Sequence, residues 1–156
     1  MKSSCPEHYV VTYCSRDKDP SSNLMPAGDR YLSSRIGMAN EVSSLLEVGV
    51  LILSGKYGLI GPDLKIPDYD HLLTQEQVPG HAQVLGQSLR QLEATKIMFI
   101  TRDLTIDPGT GPYREAMRLA CLDAGVDFRV KEMGLPEPSP AELAAMIRPW
   151  FNRPSI

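Results

Sequence analysis

Three short segments of this 156-residue chain combine residue types that can do chemistry. In Ser54-Gly55-Lys56-Tyr57-Gly58, an apolar run ends in a glycine, a cation and a ring. A glycine directly after a buried strand lets the backbone approach a ligand closely or adopt positive φ. Lys56 brings charge, and Tyr57 brings a flat face and a hydroxyl. The same pattern also describes an ordinary strand-to-loop turn with a solvated lysine.

In Cys14-Ser15-Arg16-Asp17-Lys18, Ser15 and the backbone N–H groups that follow can cradle a phosphate or carboxylate, with Arg16 and Lys18 as counter-charges. Cys14 is either a nucleophile or a small buried hydrophobe, and no histidine adjoins it. The third segment is Asp68-Tyr69-Asp70-His71. If it folds over the first two, Asp68 or Asp70 meets Lys56 and Arg16 and serves as general base or as acceptor for a polar edge. Otherwise these aspartates cap a loop. Gly109-Thr110-Gly111 precedes a helix but lacks the lysine and length of a phosphate loop. Arg30 and Arg35 do not share one helix face, so they form no basic stripe. His8 and His81 read as structural or solvated.

These segments must be positioned by alternating strands and helices. His8 to Cys14 is β-branched and aromatic and reads as a buried strand, as do Val50 to Ser54, Lys96 to Thr101 and Val126 to Val130. Asp29 to Glu47 has helical spacing with Leu32, Ile36, Ala39, Val42 and Leu46 inward, and Gly49 is its stop. Thr74 and Gln77 form a capping-box pattern before Pro79-Gly80 breaks the chain. Ala82 to Ala94 is a second amphipathic helix, with Val84, Leu85, Leu89 and Leu92 inward. A third helix follows Thr110 or Gly111, has Pro112 at its start, buries Tyr113, Ala116, Met117, Ala120 and Cys121, and ends at Gly125. Ser139-Pro140-Ala141-Glu142 caps a fourth, with Leu143, Met146, Ile147 and Trp150 inward. The expected fold is a single three-layer α/β domain with a mainly parallel sheet of four or five strands and helices on both faces. Its ligands bind beyond the carboxyl ends of the strands, where Cys14-Ser15-Arg16, Ser54-Gly55-Lys56 and Thr101-Arg102-Asp103 fall.

Composition narrows the classes. A net charge of -3 argues against a broad nucleic-acid face and leaves room for a local cationic pocket. The three cysteines, Cys5, Cys14 and Cys121, fit no zinc spacing and point to a reducing, cytoplasmic setting. There is no membrane-length apolar run, no signal-peptide core in Met1-Lys2-Ser3-Ser4-Cys5-Pro6, and no cofactor or metal motif.

Val10-Val11-Thr12-Tyr13-Cys14-Ser15-Arg16-Asp17-Lys18, Pro26-Ala27-Gly28-Asp29-Arg30-Tyr31, Leu51-Ile52-Leu53-Ser54-Gly55-Lys56-Tyr57-Gly58-Leu59-Ile60, Pro62-Asp63 and Tyr69-Asp70 occur in order. This series resembles a bacterial and phage family of unknown function. Its members carry Cys-Ser-Lys-x-Lys after one strand, then Pro-Ala-x-x-Leu-Tyr, then Leu-Ser-Ala-Lys-Tyr-Gly-Leu-Leu, then Pro-Tyr-Asp. Here Arg16, Arg30 and Asp68 replace a lysine, a leucine and a proline. More distantly, the chain is similar to the YaaA peroxide-stress family, which implies DNA-related protection, and to archaeosine synthase, which implies deazaguanine modification in tRNA.

Together these readings lead to an expected enzyme acting on a nucleobase, nucleotide or modified base, by base modification or N-glycosidic bond chemistry. Asp70, Lys56 and Ser15 are its candidate catalytic residues. Cys14, Arg16, Lys18, Tyr31, Ser54, Gly55, Tyr57, Gly58, Asp68 and Tyr69 are its candidate ligand-binding residues. The alternative is a non-catalytic DNA- or RNA-binding module.

Overall fold

The computed structural model describes residues 6–154, so Cys5 and the first residues of the chain lie outside the described residues. In chain order the elements are β1 (His8–Tyr13), β2 (Met25–Pro26), the single-turn helix α1 (Ala27–Arg30), α2 (Ser34–Leu46), β3 (Gly49–Ser54), β4 (Gly58–Ile60) and β5 (Lys65–Ile66). Then come α3 (Val78–Leu92), β6 (Lys96–Arg102), α4 (Gly111–Ala124), β7 (Asp127–Met133) and α5 (Pro140–Phe151). Five strands form one sheet in the order β4-β3-β1-β6-β7. β1 pairs in parallel with β3 and β6, and β6 pairs in parallel with β7; only β4 runs antiparallel. The fold is α/β, as the alternation of periods predicts.

Side-chain alternation along the central strands divides the core in two. Val10, Met98 and Ile100 face α2 and α5, where they meet Ala39, Val42, Leu143 and Trp150. Val11, Ile97 and Phe99 point the other way, into the layer of α3 and α4 with Leu85, Leu89, Met117 and Ala120. A period of two along each strand requires this split, and strands buried on both faces read as continuous apolar runs. β1 is the strand from which the chain first crosses to β3 on one side and later to β6 on the other. That reversal opens a crevice at the strand carboxyl ends.

Several boundaries differ from the sequence reading. The helix expected from Asp29 begins at Ser34, after the separate turn of α1. Tyr31 leaves the helix to form an antiparallel bridge with Lys18, and Ser33 starts α2 by accepting the Arg35 N–H at 3.3 Å. Leu32 is therefore exposed rather than inward. α2 stops at Glu47, whose φ of 56° is left-handed, and Gly49 opens β3 instead of ending the helix. The Thr74–Gln77 capping box exists, but its 3₁₀ turn runs straight into α3. Pro79-Gly80 thus lies in the first turn of α3, where a missing N–H costs nothing. Val78, Ala82, Leu85 and Leu89 form the inward stripe, and Val84, about 100° round the helix from Leu85, faces solvent. Met146 likewise faces solvent, because α5 buries Leu143, Ala144, Ile147, Trp150 and Phe151. The fourth strand of the sequence reading continues to Met133.

Candidate functional site

Parallel pairing of β1 with β3 and β6 brings Cys14, Ser54 and Arg102 to one end of the sheet. Beyond β1 and β6 lies a crevice of about 770 Å³. Its walls are Tyr13 to Asp17, the start of α2 from Leu32 to Arg35, Leu72-Leu73, Arg102, Asp107 to Gly109, and Pro112-Tyr113 at the start of α4. Of the residues proposed from sequence, Cys14, Ser15 and Arg16 line it. Ser15 Oγ donates to the Asp17 carbonyl at 2.7 Å, which shapes the turn after β1. Cys14 is buried, with Sγ 3.7 Å from the Tyr113 hydroxyl.

The floor of this crevice is a residue that sequence reasoning set aside. Arg35 is only 2% exposed. Its Nη1 donates to Thr12 Oγ1 at 2.7 Å and to the Tyr13 carbonyl, and its Nη2 donates to the Cys14 carbonyl at 3.3 Å. The guanidinium lies on the Tyr13 ring, 3.4 Å from the centroid. Burial pushes the Arg35 pKa down, and the neighbouring Tyr13 and Asp107 support the charged form. The Tyr13 hydroxyl donates to Asp107 Oδ2 at 2.7 Å. Burial pushes that phenol up, Arg35 pulls it partly back, and the Asp107 carboxylate adds to the rise. Asp107 thus presents a carboxylate to the crevice with Oδ2 engaged by Tyr13. Arg102, at the end of β6, is held by Glu137 (Nε to Oε2, 3.0 Å) and by Ser34 Oγ (3.1 Å).

Lys56, Tyr57, Asp68 and Asp70 do not line the crevice. The turn after β3 instead forms a tyrosine cluster beside it. Tyr69 sits at its centre, with its hydroxyl 2.5 Å from the Tyr31 hydroxyl and 2.9 Å from Ser54 Oγ. Tyr57 packs edge-on against Tyr69, at 5.2 Å between centroids. Lys18 and Lys56 both lie over the Tyr69 ring, at 4.6 and 5.6 Å. The β1 loop and the β3 turn therefore do meet, through Tyr69. Ser54 is fully buried, and its Oγ also accepts the N–H groups of Lys56 and Tyr57, so its polar capacity is spent inside the turn. Asp68 and Asp70 are exposed and form no ion pair with Lys56 or Arg16 among the described residues.

Gly55 has a use other than close approach to a ligand. A Cβ there would come within 3.1 Å of both Leu73 N and the Tyr113 hydroxyl. The Leu73 N–H donates to that hydroxyl at 3.1 Å, so Gly55 lets the Leu72-Leu73 segment close the crevice wall. Gly58 has a φ of 78°, which the tight β3–β4 turn requires. His81 donates from Nε2 to the Ser54 carbonyl at 2.9 Å, the structural role expected of it. Arg30, fully buried, holds the carbonyls of Ser21 (2.9 Å), Asn23 (2.6 Å) and Ile66 (3.1 Å), among others, and so fixes the loop between β1 and α1.

Sequence reasoning missed Arg35 and Asp107 as site residues. A buried arginine in a first helical turn has the same letter as a solvated one, and Asp107 lies in a loop to which no motif draws attention. Among the described residues, no group of three His, Cys, Asp or Glu side chains is placed to hold a metal ion, and no helix is long and apolar enough to cross a membrane. No protein-family model, curated protein or solved structure matches the chain.

Proposed function

We propose that this protein is an enzyme that recognises a nucleobase or nucleotide in the crevice between β1 and β6 and acts on the base or on its N-glycosidic bond. The observation that carries the reading is the buried Arg35 at the crevice floor, a cation with no carboxylate ion-paired to it among the described residues. Carbonyl and hydroxyl oxygens and the Tyr13 ring meet this charge without neutralising it, and an anionic ligand in the crevice completes the balance. The crevice volume is of the size that small-molecule sites take, and Leu32, Leu72, Pro108 and Pro112 give it apolar surface for a base. Asp107 is the general base in this reading. Tyr13 orients its carboxylate, and the remaining oxygen takes a proton from an attacking water or amine. Asp70 and Lys56, outside the crevice lining, are not needed for that step.

Thermal unfolding with nucleobases, nucleosides, mononucleotides and short oligonucleotides tests this reading. A ligand at a hundredfold excess over its Kd stabilises the native state by about 2.7 kcal/mol, or roughly 5–10 °C in a chain of this size. We expect that shift with a mononucleotide, and we expect Asp107→Asn to keep it while losing turnover. No shift with any nucleobase compound contradicts the proposal. A second reading, a non-catalytic DNA- or RNA-binding module, is favoured by Lys18 and Lys56 converging on the Tyr69 face. Affinity that rises with strand length and falls steeply with salt would select it.

A further inference from the structure

The two helices that open on the crevice break an electrostatic rule. A helix N-terminus carries partial positive charge on its free N–H groups, so acidic residues usually occupy its first turn. Neither the 13-residue α2 nor the 14-residue α4 has an acidic residue there, a lack they share with α3, so it is the added cation that marks α2. The first turn of α2 holds Arg35 instead, and a second guanidinium, Arg102, donates to Ser34 Oγ in the same turn at 3.1 Å. Arg35 Nε is buried and has no hydrogen-bond partner. The two guanidinium groups repel, since Arg102 disfavours the charged form of Arg35. The crevice side chains bring Arg16, Arg35 and Arg102 against Asp17 and Asp107, and Glu137 reaches Arg102 from the segment between β7 and α5.

We propose that the Arg35–Arg102 end of the crevice, at the first turn of α2, is a phosphate subsite that takes a terminal phosphomonoester. This rests on the crevice being the ligand site and adds which end of the ligand lies where. A phosphomonoester carries close to two negative charges and three equivalent oxygens. It can accept from the Arg102 guanidinium and from the Ser34 hydroxyl at once, since the Arg35 N–H is already capped by Ser33 Oγ, whereas a carboxylate offers one charge and two oxygens. Glu137 holds Arg102 and competes with the incoming phosphate.

The test is calorimetric titration at fixed ionic strength. The probes are inorganic phosphate, a nucleoside, its 5′-mononucleotide, and an oligonucleotide with and without a 5′-phosphate. Wild type is compared with Arg102→Gln and Glu137→Gln. Inorganic phosphate should compete with the mononucleotide. Arg102→Gln should weaken phosphate and mononucleotide by at least about tenfold, the effect of losing a charged hydrogen bond, and leave the nucleoside unchanged. Glu137→Gln should tighten both several-fold. A structural salt bridge would make the two variants behave alike, and that result overturns the subsite. A nucleoside that binds as well as its nucleotide also overturns it while sparing the nucleobase reading. Phosphate binding with no preference for nucleotides over sugar phosphates keeps the subsite and sinks the nucleobase reading. No binding of any probe at millimolar concentration overturns both. A preference for the 5′-phosphorylated oligonucleotide over the free mononucleotide supports the subsite and assigns its phosphate to a strand end.

Discussion

The guanidinium carbon of Arg35 lies 3.4 Å from the centroid of the Tyr13 ring, while the nitrogens of the same group hold the carbonyls of Tyr13 and Cys14. One side chain from α2 therefore fixes the end of β1, covers the ring that orients Asp107, and puts a positive charge under the crevice. Stability and binding are joined at this residue.

Arg35→Met should separate the two roles. It strips charged hydrogen bonds from buried carbonyls, and part of the cost returns because a desolvated cation is also removed. A net loss of about 2 kcal/mol in urea unfolding is expected, together with loss of anion binding. A variant as stable as wild type would show that the strand end does not depend on the guanidinium.

Leu53 and Lys56 are near neighbours with opposite environments, one fully buried within β3 and the other exposed on the turn. Leu53→Ala should cost about 2–5 kcal/mol through a core cavity. Lys56→Ala should stay within about 1 kcal/mol, since it loses only exposed cation–ring contacts. Because Lys56 lies outside the crevice lining, mononucleotide affinity should survive its removal. Loss of that affinity in a folded Lys56→Ala protein would move the site to the tyrosine cluster.

Burial pushes the Tyr31 phenol up to about 12 from 10.0 and the Cys121 thiol up to about 12 from 9.0. Both groups are neutral in the fold and ionise more readily once unfolded. Their contribution is complete below pH 9.0 for the thiol and below pH 10.0 for the phenol, and drains away as pH rises toward 12. Unfolding free energy should fall across that window, and less steeply in Cys121→Ala. An equal slope in variant and wild type would contradict the assignment. Tyr69→Phe removes the hydroxyl that joins Ser54 to Tyr31 and should cost about 1–3 kcal/mol at neutral pH.

The layers of the fold were legible because periodicity reports burial. Val50 to Ser54 and Lys96 to Thr101 read as buried strands, and α4 buries the five residues that its spacing marks. Where a cap or a long-range contact overrode periodicity, the reading slipped. Tyr31 left its helix to pair with Lys18, and the Thr74–Gln77 cap carried Pro79 into α3. The sheet end that holds the site was also legible, since strand termini mark it, and Cys14, Ser15 and Arg16 line the crevice. The partition of the remaining residues was not. Whether Tyr69 or Asp107 faces a crevice depends on how loops from distant parts of the chain stack, and local pattern does not encode that. Ser54 looked free for a ligand because its three intramolecular partners are invisible in the sequence.

Amide chemical-shift mapping by NMR on titration with a 5′-mononucleotide tests the central claim most directly. The account predicts the largest changes at Ser15, Arg16, Arg35, Arg102, Gly109 and Tyr113, around the crevice between β1 and β6. Changes confined to Lys56, Tyr57 and Asp70, with the crevice amides unmoved, would contradict it.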